Sequence, residues 1–247
     1  MTASLIHTLT SMDQPIIPAA GDGQTMTLLS QSSFPAIFLD GTLTTQTLLA
    51  ENNQGLLTLS EYAKFCRDMQ LKKTSPLIYD LQSGFGSPLN TYYAAQELER
   101  SGADTIILND QTYPSHSLNR PITTTSADLL GKAKAAQDGL ENDVTELWIK
   151  LEGIWDYGTK GILQRIHYLA NIGADAIIID HYTDDQLNTI IAATPELPII
   201  ATWTPNTPHN SGITAWLDTG CLARQAQQAR QQALTELKKG AIAYAEK

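Results

Sequence analysis

The chain has little cysteine, little positive charge and no long hydrophobic run. Its two cysteines, Cys66 and Cys221, are far apart and lack metal-ligand spacing. That argues against a disulfide framework or a zinc cluster and predicts reduced structural thiols in a cytoplasmic protein. Sixteen Lys and Arg against 26 Asp and Glu leave a formal net charge of −10. The resulting negative field argues against nucleic acid and anionic membrane as partners, so an anionic ligand needs a locally positive or amide-lined pocket. No apolar stretch reaches the about 18 residues of a membrane span, and the first residues lack the basic, apolar, small-residue order of a secretory leader.

What the chain does have is alternation. Strand-like runs at Gln14 to Ala20, Pro35 to Leu39, Pro76 to Tyr79, Thr105 to Leu108, Glu146 to Glu152, Ala174 to Asp180, Leu197 to Trp203 and Ile213 to Leu217 are separated by helical patterns. No linker interrupts them, so residues 1–247 are expected to form a single domain. Eight such units in this length predict an α/β fold of the (β/α)8 TIM barrel class, closed by a long helix from about Leu222. Thr58 and Glu61 have capping-box spacing at the start of a helix that runs to about Lys72. Residues 44–55 and 113–125 read as long polar loops, the kind that become lids or binding loops.

The polar chemistry concentrates between Pro76 and Gln111. An apolar run ends in Asp80 and Gln82, which period-two geometry places on one side of a strand. Gly84 and Gly86 permit a tight turn, and Ser87-Pro88 opens a helix. The next strand ends in Asn109 and Asp110. Parallel strands bring such ends to one mouth, where α/β barrels hold ligands.

This stretch resembles the phosphoenolpyruvate mutase/isocitrate lyase superfamily, whose members carry D-x-D-T-G-[FY]-G after one strand and E-D-Q or E-D-K after the next. Leu98 to Ala103 matches the superfamily's L-E-x-x-G-A link, Gly55 to Leu59 its G-L-L-T-L segment, and Gly173 to Ile177 its G-A-D-A-I strand entry. The resemblance implies the barrel fold and a lyase or phosphomutase. Its substrate would be a small anionic carboxylate or enol-phosphate, an oxo-acid or hydroxy-acid among them, bound at the barrel mouth of a homo-oligomer (dimer or tetramer). It also implies Mg2+, which suits enolate and carboxylate oxygens, and no nucleotide cofactor is expected. Yet of four acids that would hold the ion, only Asp80 remains, while Asn53, Gln82 and Asn109 are amides. The expected metal site is therefore weak or absent, and restoring acids at 82 and 109 is expected to strengthen it.

By position Lys150 replaces a substrate-binding arginine, and Glu152 keeps the acid. The lid of the lyase branch, K-[KR]-C-G-H, and that of the mutase branch, P-K-T-N-S, are both replaced by Tyr113-Pro114-Ser115-His116-Ser117. His116 is then the candidate acid or base. The expected catalytic set is Asp80, Lys150, Glu152 and His116, with Gly41, Thr42, Asn53, Gln82, Gly84, Asn109 and His181 binding substrate. Gly41 and Thr42 are expected to offer backbone N–H groups, although Asp40 beside them would repel an anion unless protonated or paired. Other readings stay open: Lys150 and Glu152 as an internal ion pair, His116 as a solvated loop residue, His181 as a strand-end residue, and the whole chain as an inactive barrel that keeps its pocket for sensing or assembly.

Overall fold

The computed structural model describes residues 4–114, 122–194, 197–205, 207, 210 and 212–245. Its strands are β1 (Ile16–Ile17), β2 (Ala19–Ala20), β3 (Ile37–Leu39), β4 (Leu77–Gln82), β5 (Thr105–Asn109), β6 (Glu146–Leu151), β7 (Ala176–Ile179), β8 (Ile199–Trp203) and β9 (Ala215–Asp218). The helices are α1 (Leu5–Thr10), α2 (Gly23–Ser30), α3 (Gly41–Leu49), α4 (Leu59–Gln70), α5 (Pro88–Arg100), α6 (Ser126–Gly139), α7 (Ile154–Ile172), α8 (Asp184–Ala193) and α9 (Cys221–Ala245).

All strand pairs are parallel, in the order β1-β9-β8-β7-β6-β5-β4-β3-β2. The sheet closes because β1 and β2 are two halves of one strand, divided at Pro18, which has no N–H to give the ladder. One half pairs with β9 and the other with β3, so the barrel has the eight staves predicted from the alternation.

Alternation along each strand builds two apolar layers. Phe38, Ile78, Ile107, Trp148, Ile178, Ile200 and Leu217 cluster inside the barrel. Ile37, Leu39, Leu77, Tyr79, Ile106, Leu108, Ile149 and Ile177 pack against the helices. Leu5 and Leu9 of α1 join the interior cluster, and the carboxylate of Glu146, at the start of β6, accepts the hydroxyl of Ser4 at 2.5 Å and the backbone N–H of Ile6 at 3.0 Å. The short first helix thus packs onto the interior cluster beside the beginning of β6. Burying each such isoleucine or leucine contributes about 1.5–3 kcal/mol.

Several helices begin where sequence chemistry predicted. Thr58 and Glu61 form the reciprocal capping box of α4, and Asn90 accepts the Ser87 backbone N–H at 3.1 Å as α5 begins at Pro88. Two elements depart from expectation. Helix α1 was not foreseen, and residues 41–49 form α3 where a polar loop was expected, capped by Asp40, whose Oδ1 accepts the Leu43 N–H at 2.8 Å.

Candidate active site

The inward rows of the barrel change from apolar to polar at the carboxyl ends of the strands. Two residues after Phe38 comes Asp40; after Ile78, Asp80; after Ile107, Asn109; after Trp148, Lys150; after Ile178, Asp180. All five line a cavity of about 390 Å3 at the carboxyl end of the barrel. Thr42, Glu152 and His181 also line it.

Lys150 is the hub of this layer. Its Nζ donates to Glu152 Oε1 at 2.6 Å and to Asp180 Oδ2 at 2.9 Å, with only 16% of its side chain exposed. Burial alone would lower its pKa, but the two carboxylates hold it well above the ordinary lysine value. Asp180 shows the reciprocal effect: burial alone would raise it, and Lys150 nevertheless draws it down to about 2. Asp180 Oδ1 also accepts the Thr202 hydroxyl and the His181 N–H, each at 2.8 Å. Glu152 is braced from behind, because its N–H donates to Asp110 Oδ1 at 2.9 Å and its Oε2 accepts from Gln111. Tyr157 in turn donates to Asp110, which burial pushes up to about 6. The expected pairing of Lys150 with Glu152 is present, but it lies in the cavity wall and has a third member, Asp180.

Asp80 sits opposite in chemical character. Its Oδ1 accepts the Gln82 N–H at 2.7 Å and its Oδ2 accepts the Gly41 N–H at 3.0 Å. Burial, reinforced by the neighbouring Asp40 charge, nonetheless pushes its pKa up to about 7. Asp40 is raised as well, chiefly by burial. One carboxyl that titrates near neutrality therefore shares a small cavity with a fixed ammonium.

Four of the expected substrate-binding positions are placed elsewhere. The Gly41 N–H is engaged by Asp80, and a Cβ at Gly41 would stand 2.7 Å from Asp80 Oδ2, so this glycine permits that close approach instead of cradling a ligand. Asn53 does not line the cavity, and its Oδ1 caps a short 3-10 turn by accepting the Gly55 N–H at 3.0 Å. Gln82 does not share the face of Asp80: the strand register shifts between them, Gln82 has φ +53°, and its amide is buried without a hydrogen-bond partner among the described residues. Gly84, with φ +87°, packs where a Cβ would lie 2.1 Å from Thr91 Oγ1, and it too is absent from the cavity wall. His116 lies outside the described residues.

Thr42 and His181 do reach the wall, the Thr42 hydroxyl donating to Gln54 Oε1 at 3.2 Å. His181 adopts φ +56° and stacks on Trp155 with ring centroids 4.5 Å apart. A left-handed histidine at a strand exit is a strained position of the kind that clusters at functional sites. Asp180, Gln111 and Arg224 were missed from sequence; for Asp180 the signal was available, since it follows an apolar strand and precedes His181.

Among the described residues, Glu152, Asp180 and His181 each offer a ligand atom within 4.8 Å of the others. No helix among those residues is long and apolar enough to cross a membrane.

The family model of phosphoenolpyruvate phosphomutase matches residues 6–237. An oxaloacetate decarboxylase of Bradyrhizobium sp. (strain ORS 278) is 25% identical over 213 residues, which cover 85% of this chain and 74% of that protein. The 2,3-dimethylmalate lyase of Eubacterium barkeri is 27% identical over 183 residues, 72% of this chain and 63% of the lyase, so this chain spans less than two thirds of that relative. The solved structure of an oxaloacetate acetylhydrolase bound to 3,3-difluorooxalacetate superposes with a TM-score of 0.86 at 19% identity, over 95% of this chain and 85% of that one. With the family model spanning nearly all of its length and the barrel shared, the chain belongs to the phosphoenolpyruvate mutase/isocitrate lyase superfamily.

Proposed function

We propose that the cavity binds a small oxo-acid, or a hydroxy-acid or enol-phosphate of like size, and cleaves or rearranges the bond next to the carbonyl carbon without a divalent metal. The observation that carries this reading is the Lys150 ammonium fixed between Glu152 and Asp180 in the same cavity as Asp80, which titrates near pH 7.

The residues do not fit Mg2+. The ion requires a near-octahedral set of hard oxygens. Asp80 and two of the three amides that resemblance aligns with the metal-binding acids turn their oxygens to backbone N–H groups, Asn109 Oδ1 accepting that of Gln111 at 3.1 Å. The third, Gln82, is buried away from the wall. In the Glu152, Asp180 and His181 cluster, both carboxylates are already bonded to an ammonium.

Lys150 supplies the charge instead. Two of its three N–H donors hold Glu152 and Asp180, leaving one for the oxygen on which negative charge grows as the bond breaks. In an oxaloacetate-like substrate the C–C bond to the leaving carboxylate breaks, its electron pair enters the enolate, and protonated Asp80 returns a proton to carbon. In a hydroxy-acid the ionised form of Asp80 takes the hydroxyl proton and the chain cleaves in the aldol-reversal sense.

The test is product detection with oxaloacetate, 2,3-dimethylmalate and 2-methylisocitrate. Turnover of at least one, lost in Asp80→Asn, is expected; no turnover of any would leave a barrel that only binds.

We also propose a homo-oligomer. Leu222, Leu234 and Leu237 of α9 are 38%, 57% and 69% exposed, and Leu234 and Leu237 lie one turn apart on the same helix. A second copy of the chain is the proposed cover. Sedimentation is expected to give a dimer or tetramer, and a monomer at micromolar concentration would contradict this.

A further inference from the structure

A substrate with two acid groups needs a second cationic partner, and Lys150 is poorly placed to be it. The carboxylates on either side of its ammonium repel any further anionic group brought there, and Asp40 and Asp80 make the adjoining wall acidic as well. Arg224 is the other cationic side chain that lines the cavity among the described residues.

Arg224 stands in the first turn of α9, its backbone N–H bonded to Gly220 O at 2.9 Å. Its guanidinium lies over Gly220, where Nη1 is 3.4 Å from the point a Cβ would occupy, and Gly220 and Thr219 both face the cavity. No side-chain hydrogen bond or ion pair engages the Arg224 guanidinium among the described residues. The helix end itself offers little to an anion, because Asp218 Oδ1 already accepts the N–H groups of Gly220 at 3.0 Å and Cys221 at 2.6 Å. The charged donors on this side of the cavity are therefore those of the guanidinium, a planar fork that fits a carboxylate or phosphoryl group with two parallel bonds.

We propose that Arg224 receives the acid group remote from the oxo carbon and so makes the cavity select oxo-diacids over oxo-monoacids. This rests on the oxo-acid reading above. It also assigns a role to α9 beyond assembly, since the helix that leaves the barrel carries the diacid contact in its first turn.

Calorimetric titration of the full chain with 3,3-difluorooxaloacetate and with pyruvate separates the two acid groups without relying on catalysis. Arg224→Met is expected to weaken the diacid roughly tenfold or more, about 1.4 kcal/mol per decade. Pyruvate binding should stay within about twofold, and Arg224→Lys should recover part of the loss, because a lysine keeps the charge but not the fork. Unchanged diacid affinity in Arg224→Met, or an equal loss for pyruvate, overturns the assignment while leaving the oxo-acid reading intact. A wild-type chain that binds neither probe overturns both.

Discussion

Replacing Lys150 by methionine is expected to abolish oxo-acid turnover and to lower unfolding stability by about 3–5 kcal/mol. Both effects have one cause. The ammonium bonds Glu152 at 2.6 Å and Asp180 at 2.9 Å, and its removal leaves two largely buried carboxylates facing each other without compensation. In the sequence only Glu152 stands beside Lys150, and the second acid, Asp180, which makes the stability cost large, is brought there by the fold. The double variant Lys150→Met, Asp180→Asn removes one of the stranded charges, so it should regain much of the stability and none of the turnover. Urea titration and product assays on both variants check this; turnover retained in the double variant would show that Lys150 only braces the wall.

Asp80→Asn is expected to reduce turnover by about 10^2 to 10^4, the ordinary contribution of a positioned acid or base. It should also change the pH dependence of stability in a definite sense. The folded protein holds the Asp80 proton up to about pH 7, whereas an unfolded carboxyl releases it near 4. The folded state therefore binds more protons between these values, and stability falls as pH rises from about 4 to about 7, then levels. Asparagine carries no such proton, so the variant should lose this part of the slope. The smaller part due to Asp110, pushed up to about 6, remains in both proteins with the same sign. Urea midpoints at several pH values measure the difference, and equal slopes in the two proteins would place the Asp80 pKa near its ordinary value.

The barrel was legible because alternation between apolar strands and helical patterns is a long-range signal that no single residue can spoil. Local chemistry was legible where a cap or a proline fixes the backbone, as at Thr58 with Glu61 and at Ser87-Pro88. Helix α3 was hidden because Thr42, Thr44, Thr45 and Thr47 are weak helix formers, and packing of its buried threonines overrides that preference. The site was half legible. Period-two reasoning found Asp80 and the resemblance found Lys150, but the period failed at Gln82, where a bulge breaks it, and a bulge leaves no mark in the sequence that alternation can read. Restoring an acid at 82 would accordingly bury a charge beside the strand instead of building a metal ligand. Asp180 and Arg224 come from the exit of β7 and the start of the last helix, remote in sequence from the stretch between Pro76 and Gln111; pairing of β6 with β7 brings Asp180 to Lys150, and the fold brings Arg224 to the same cavity.

On the reading proposed above, the protein's own cation, Lys150, stands where the resemblance implies Mg2+. The most direct test is the rate of oxo-acid cleavage by the purified chain after exhaustive chelation, compared with the same sample given excess Mg2+ or Mn2+. Equal rates are predicted, with both lost in Lys150→Met; a rate that vanishes on chelation and returns with the metal would contradict the account.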